Sequence, residues 1–507
     1  MNQYLKLFLI SSLLVFTSCK SKGDHYDRII RNGMVYDGSG APGIKADIGI
    51  RNDTIAFIGD LSGASATEET DAAGQAVAPG FIDTHSHHAG NPFTHRDFMA
   101  VLSQGITSII IGQDGGSNFP LASFYQKLTD TPVAINIGSY SGHNTIRDSI
   151  LGKDFKRAAS IDETERMKAL LLQDMEAGAL GLSTGLEYDP GIYSAREEVL
   201  ALTRIIAPYK GRYISHIRSE DRYFWNAMDE IIRIGKTTGV PVQVSHIKLA
   251  MHNLWGKADS LLSIMDQARK EGVNITSDIY PYAFWHSTIR VLFPDRNFTD
   301  EKEAEMILRD ITLPGDIILA AYEIDPAYEG KTLAAIAALE NKTPARMLIE
   351  LIARIEAWEK THNDECRESI MATSMAEQDI TRLMQWPYAN ICSDGSSSGR
   401  HPRGYGAFTR VLSKYTREEK ALTLAGAIYK MTGLAATNLS IEKRGFLRPG
   451  YYADIVLFNP ETVKDLASVE QPHALSEGIL QVWVNGQPVY QDKKGSGLFP
   501  GQLIKRK

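Results

Sequence analysis

The sequence predicts an α/β protein in which a TIM-like (β/α)8 barrel is inserted into a small β-sandwich domain formed by both termini. Three observations carry this. Eight short β-branched or apolar segments recur through the middle of the chain, separated by helical patterns. Five of those segments end in a side chain able to bind a metal or move a proton. The two ends of the chain share a turn-rich, alternating character that the middle lacks.

The elements follow in order. Lys6 precedes the apolar run Leu7–Phe16, and Thr17-Ser18-Cys19 follows. The run is too short to span a bilayer as a helix and fits a signal-peptide core. Small residues before a cysteine are the pattern of a bacterial lipoprotein cleavage site. Residues 1–18 are therefore expected to be a signal peptide, Cys19 the lipidated first residue, and 19–25 a polar tether. The protein is then an exported lipoprotein, periplasmic or outer-membrane associated, that meets the membrane only through its lipid anchor. A plain secretory signal cut nearby is the other reading. Residues 26–75 read as the first part of the β-domain, with hairpin signals at Asn32-Gly33 and Asn52-Asp53. Residues 441–507 read as its second part, with strands Ala453–Phe458 and Leu480–Val484 and a turn at Asn485-Gly486.

Between them, residues 76–440 carry the barrel. Its strands are expected at Val77–Thr84, Thr107–Gln113, Val133–Ser139, Leu180–Thr184, Tyr213–Ser215, Val242–Ser245, Asn274–Ile279 and Ala389–Ser393. Residues 294–386 are long for one connection and read as an insertion with two helices that forms a lid. With 507 residues, 43% of them hydrophobic and 23% charged, there is ample chain for a large core. The net charge of −7 gives no reason to expect nucleic-acid binding. Cys366 and Cys392 are far apart and imply neither a disulfide framework nor a CxxC metal site. Nothing in the pattern sets an oligomeric state.

His85-Ser-His87 closes the first barrel segment, and residues two apart on a strand share a face, so both imidazoles can reach one ion. Alone, such a pair is as readily a surface feature. His216 and His246, each after a serine at a later strand end, convert it into a ligand set on the face where barrels of this type keep their catalytic groups. His88 is expected to face away. Asp394 in Ser-Asp-Gly is a turn composition but also a carboxylate placed to take a proton from water and return it to a leaving amine. The Gly/Ser-rich loop and Arg400-His-Pro-Arg403 after it favour the second role.

These residues reach a family. Pro79-Gly-Phe-Ile-Asp-Thr-His85-Ser-His87 resembles the first-strand motif of the amidohydrolase superfamily. Gly181-Leu-Ser-Thr-Gly-Leu-Glu-Tyr188, Gly142-His143, Ser245-His246-Ile-Lys248, Asp278-Ile-Tyr280-Pro-Tyr282, Ser393-Asp394-Gly395 with His401-Pro-Arg403, and Arg444 to Asp454 are similar to segments of D-aminoacylases, the N-acyl-D-amino-acid deacylases. The resemblance covers residues 26 to 490. It implies that His85 and His87 serve a weaker or second metal position, that His216 and His246 serve the tighter zinc position, and that Asp394 is the acid/base. It also implies that Arg403 lies near a substrate carboxylate and that Tyr188, Lys248 and Tyr282 line the pocket. The family commonly has a zinc-binding cysteine where this chain has Asp114. A carboxylate also binds zinc, at roughly 2.0–2.2 Å, and can bridge two ions; the alternative is that Asp114 caps a turn. One or two zinc ions per chain are thus expected. The resulting expectation is metal-dependent hydrolysis of the amide of a small N-acyl-D-amino acid. A cyclic amidase, a D-residue dipeptidase and a non-catalytic binding lipoprotein are the rivals.

Overall fold

The computed structural model describes residues 24–363 and 365–506; the expected signal segment and Cys19 lie outside the described residues. Among the described residues, no helix is long and apolar enough to cross a membrane.

Eight parallel strands form the barrel. They are β1 Phe81–Asp83, β2 Ile106–Ile111, β3 Asn136–Ser139 (continued by Ser141–Gly142), β4 Gly181–Gly185, β5 Arg212–His216, β6 Val242–Val244, β7 Ile275–Ile279 and β8 Ala389–Ile391. These are near-continuous apolar runs because both faces are covered: all six residues of β2 are buried. Closure runs through the strand exits. The Asp394 N–H donates to His85 O at 2.9 Å and the His87 N–H to Gly395 O at 2.9 Å. Asp83, fully buried, accepts from the Ser393 N–H at 2.8 Å and bonds the Ser393 hydroxyl, pinning β8 to β1 beneath the site.

The expected strand 77–84 is divided at Gly80. Ala76–Pro79 pairs with strands from both chain ends, and the barrel begins only at Phe81. A Cβ on Gly80 would lie 2.2 Å from Thr107, so the turn between the two sheets has room for glycine alone. The β-domain is one hydrogen-bonded network of nine strands to which both termini contribute. Asn485-Gly486 makes a tight hairpin with φ of 48° and 75°, as its sequence predicts. Asn32-Gly33 does not turn the chain. It forms a bulge inside strand His25–Val35, at which the pairing partner on one side changes from Ser65–Asp71 to Ala76–Pro79. The last strand, Leu503–Ile504, leaves this domain and adds in parallel to β3.

The insertion is larger in kind than two helices. Strands Phe284–Ser287, Ile317–Tyr322 and Glu368–Thr373 form a separate antiparallel sheet, backed by helices Glu301–Asp310 and Pro344–His362. It begins about ten residues before the expected boundary and ends before Glu377–Gln385, which packs back on the barrel. The apolar run at 317–322 has no periodicity that separates strand from buried helix.

Candidate metal centre

The strand exits bring His85, His87, Asp114, His216, His246 and Asp394 to one point at the C-terminal mouth of the barrel. Ligand atoms of His85, His87, Asp114 and Asp394 all lie within 4.8 Å of one another, as do those of Asp114, His216 and His246. Asp114 stands between two pairs of imidazoles. Its Oδ2 lies 3.3 Å from Nε2 of both His85 and His87, and its Oδ1 lies 3.2 Å from His246 Nε2. His216 Nδ1 is 3.0 Å from His246 Nε2. Asp394 Oδ1 joins the first pair, 3.2 Å from His87 Nε2 and 3.6 Å from His85 Nε2.

Backbone strain aims these groups. Asp114, His246 and Asp394 all have left-handed φ, at 51°, 33° and 48°. Non-glycine residues hold such angles only where surroundings enforce them, at a cost of order 1–3 kcal/mol each. Gly112 and Gly115 flank Asp114, and a Cβ on either would strike Tyr140 or Asn144 within 2.3 Å. Asp278 accepts from the His246 N–H and stands 3.8 Å from His85 Nδ1.

The donor set suits a divalent cation. A tetrahedral ion about 2.0–2.1 Å from each imidazole nitrogen holds its donors about 3.3 Å apart, which is the spacing found within both groups. The charges agree. Burial and Lys248 pull the His246 imidazole down, but Asp114, Glu220 and Asp394 raise it to about 10. Partial desolvation lowers His87, and Asp114 and Asp394 outweigh that to raise it to about 9. Burial pushes Asp114 and Asp394 up, but neighbouring cationic groups hold both well below the usual carboxylate range. The carboxylates thus hold positive charge between themselves and the rings.

Two glutamates that sequence reasoning passed over complete the buried pair. Glu187 Oε2 lies 3.0 Å from His216 Nε2 and Glu220 Oε1 lies 3.1 Å from His246 Nδ1, each on the ring nitrogen turned away from Asp114. Glu187 stands within the Leu-Glu-Tyr segment and Glu220 in the loop four residues after His216, next to a strand end that carries a ligand; that proximity in sequence was the available signal. Lys248, expected in the pocket, is buried and contacts both Glu220 oxygens and His246 Nδ1 at 2.7 Å. Tyr188 packs on His216, with ring centroids 4.4 Å apart. Arg403 is 5% exposed, places Nη1 2.6 Å from Asp394 Oδ2 and crosses the Tyr280 ring at 4.7 Å. Its Nε and Nη1 nonetheless make no in-line hydrogen bond. Tyr282 does not join the group: its ring packs edge-on against His401 and beneath Arg410, behind the cavity wall, and Tyr280 takes the place beside Arg403. His88 turns away to the Gly404 carbonyl at 2.8 Å.

Two cavities meet at the cluster, sharing Tyr188, His286, Asp394 and Arg403. One is a narrow cleft of about 40 Å³ beside His216 and His246; the other is a wider chamber of about 430 Å³ beside His87 and Asp114.

The model of the Amidohydrolase family matches residues 68–389 and 390–490. The D-aminoacylase of Alcaligenes xylosoxydans xylosoxydans is 32% identical over 96% of this chain and 99% of its own. The N-acyl-D-glutamate deacylase of the same organism is 35% identical over 95% and 96%. The solved N-acyl-D-glutamate deacylase of Bordetella bronchiseptica, complexed with zinc and a phosphonate inhibitor, superposes with a TM-score of 0.85 at 32% identity over 95% of this chain and all of that one. Matched along nearly its whole length by these relatives, the chain belongs to the amidohydrolase family.

Proposed function

We propose that the protein is a zinc-dependent deacylase of N-acyl-D-amino acids, releasing the D-amino acid and a carboxylate. One observation carries the reading. Two imidazole pairs face opposite oxygens of Asp114, and a further carboxylate, Asp394, touches one pair and an arginine with unmet N–H groups. His85, His87 and Asp394 would hold one ion, His216 and His246 another, with Asp114 bridging. Ions bound there supply a Lewis acid for the acyl oxygen and a lowered pKa for water.

The chain's own groups do the rest. Asp394 takes the proton of the attacking water and passes it to the departing nitrogen, so that amide and water become carboxylate and amine. In the resting site Arg403 holds the Asp394 carboxylate ionised and therefore weakly basic. A substrate α-carboxylate that draws the guanidinium to itself, where a planar fork matches it, restores that basicity. Recognition of the free acid and proton transfer are coupled through one side chain.

The test is turnover of paired N-acyl-D- and N-acyl-L-amino acids, each as free acid and methyl ester, with zinc-replete enzyme. Hydrolysis of the D-acids is expected, with esters losing kcat as well as KM; preference for L-substrates, or equal rates on acid and ester, refutes the reading. We also propose export as a lipoprotein, on the Leu7–Phe16 run and Cys19. Cys19→Ser should leave the membrane fraction or remain unprocessed; a wild type with an unlipidated N-terminus would refute this.

A further inference from the structure

We propose that Gln243, Thr276 and Arg212 are positioning residues for the metal centre. They form a hydrogen-bonded chain through the barrel interior that fixes Asp278, and through Asp278 one imidazole of each pair, His246 and His85. The inference rests on the metal-centre reading above and is independent of which amide is cleaved.

Strand alternation sets the chain. Arg212 opens β5 and shares a face with His216, four residues on. Thr276 and Asp278 share a face of β7, and Gln243 on β6 pairs with Thr276 in the sheet. Arg212 Nη1 donates to Thr276 Oγ1 at 2.9 Å. The Thr276 hydroxyl donates to Gln243 Oε1 at 3.0 Å, its other acceptor, the Val242 carbonyl, being 3.5 Å away. Gln243 Nε2 donates to Asp278 Oδ2 at 2.7 Å. Every donor points the same way, from a cation at the floor of the barrel to a carboxylate beneath the metal centre. Bonds aligned in this manner polarise one another.

The fold alone does not call for polar groups here. Barrel interiors are ordinarily filled by Val, Ile and Leu, as Ile214 does between Arg212 and His216. Arg212, Gln243, Thr276 and Asp278 are all buried, and a buried polar group is costly unless it is hydrogen-bonded. Arg212 Nη1 meets Thr276 and the Val242 carbonyl rather than a carboxylate, and its Nε has no partner. Burial lowers its guanidinium to about 10, which leaves it charged at neutral pH. The Gln243 amide is held in one orientation, because Asn390 Nδ2 on β8 also donates to Oε1, at 3.3 Å. Its nitrogen is thereby the end that faces Asp278.

At the upper end Asp278 reaches both pairs. Its Oδ1 accepts from the His246 N–H, and its carbonyl accepts from the Ile247 N–H at 2.8 Å. Together they clamp the turn that gives His246 its φ of 33°. The same Oδ1 stands 3.8 Å from His85 Nδ1, a buried nitrogen with no hydrogen-bond partner. That is too long for a hydrogen bond, but near enough for the charge to favour a proton on Nδ1 and leave Nε2 turned to Asp114. A carboxylate that slid or rotated would disturb one ring of each pair, and Gln243 is the group that holds its other oxygen.

The experiment measures zinc affinity by chelator competition, and the unfolding temperature of the zinc-free protein, for four variants of the full chain. Thr276→Val keeps the shape and cuts the chain between Arg212 and Gln243, whereas Thr276→Ser keeps it whole. Gln243→Met removes the donor to Asp278. Asn438 donates to Asn390 at 2.8 Å in the same core but off the path, so Asn438→Ala reports the loss of a buried hydrogen bond alone. Gln243→Met should weaken zinc binding by about tenfold or more, and Thr276→Val by about threefold or more. Thr276→Ser and Asn438→Ala should stay within about twofold of wild type, although Asn438→Ala unfolds at a lower temperature. Wild-type affinity in both Gln243→Met and Thr276→Val overturns the inference. So does an equal loss of affinity in Asn438→Ala, which would reduce the chain to packing. Should Gln243→Met fail to fold, the difference between Thr276→Val and Thr276→Ser decides. A wild type that binds no zinc overturns the metal-centre reading as well.

Discussion

The two imidazole pairs share one carboxylate yet sit in different surroundings. His216 and His246 are buried, and each has its outer ring nitrogen held by a glutamate. His85 and His87 meet Asp394 instead of a supporting glutamate, and the His87 side chain is 39% exposed beside the wider chamber. A cation held by rigid, oriented rings binds tightly; one held at a solvent-facing edge, partly by the group that must also move protons, exchanges more readily. On the proposed reading the inner pair would hold the more persistent ion and the outer pair the more labile one, with Asp114 coupling the two positions.

The most damaging way to break that difference is to remove the shared group. Asp114→Ala should lose both ions and fall to background turnover. Asp114→Cys restores the residue type common in the resembled family and offers one sulfur in place of two oxygens. It should keep the inner ion, read as about one zinc per chain by metal analysis. Two tightly held ions in Asp114→Cys would show that the carboxylate does not bridge. Asp394→Asn separates chemistry from binding. It should keep the inner ion and lose on the order of 10²–10⁴ in kcat; near-normal turnover would move the proton transfer to another group. Arg403→Ala should remove the preference for acid over methyl ester, with an effect on kcat/KM of about 10²-fold for the acid and much less for the ester.

The sequence showed the imidazoles of both pairs and little of what orients the inner ones. His85 and His87 were legible because strand alternation places residues two apart on one face, and His216, His246 and Asp394 because each ends an apolar segment. Asp114 was legible as a candidate, but not its place between the pairs, since that depends on a left-handed φ that no local pattern announces. Tyr282 was misplaced because direction after a strand end follows the loop: Tyr280 faces Arg403 and Tyr282 turns behind His401. Glu187 and Glu220 were missed because acidic residues in loops are usually solvated, and only the fold brings them to the back of two rings. The barrel was readable from its repeating apolar strands, whereas the three-stranded sheet of the insertion was not, its strand Ile317–Tyr322 being a short apolar run without periodicity.

The smallest expected effect is the one that tests the comparison most directly. If the inner position is tight because glutamates orient its rings, weakening one should cost affinity there and spare the chemistry. Glu187 accepts from His216 at Oε2 and from the Glu220 N–H at 2.6 Å through Oε1, so it fixes one ring directly and the other glutamate's loop as well. Glu187→Gln keeps the shape and one acceptor oxygen but removes the charge that favours the Nε2-protonated tautomer, the form that leaves Nδ1 free on the side of His246. Zinc affinity of the inner site should fall by roughly 10–100-fold, measured by chelator competition, while kcat at saturating zinc stays within a few-fold of wild type. Glu187→Ala should lose more affinity and Glu187→Asp less. A substitution at Glu187 that lowered kcat at full occupancy with affinity unchanged would place this residue on the reaction path, and the difference between the pairs would then lie in solvent exposure alone.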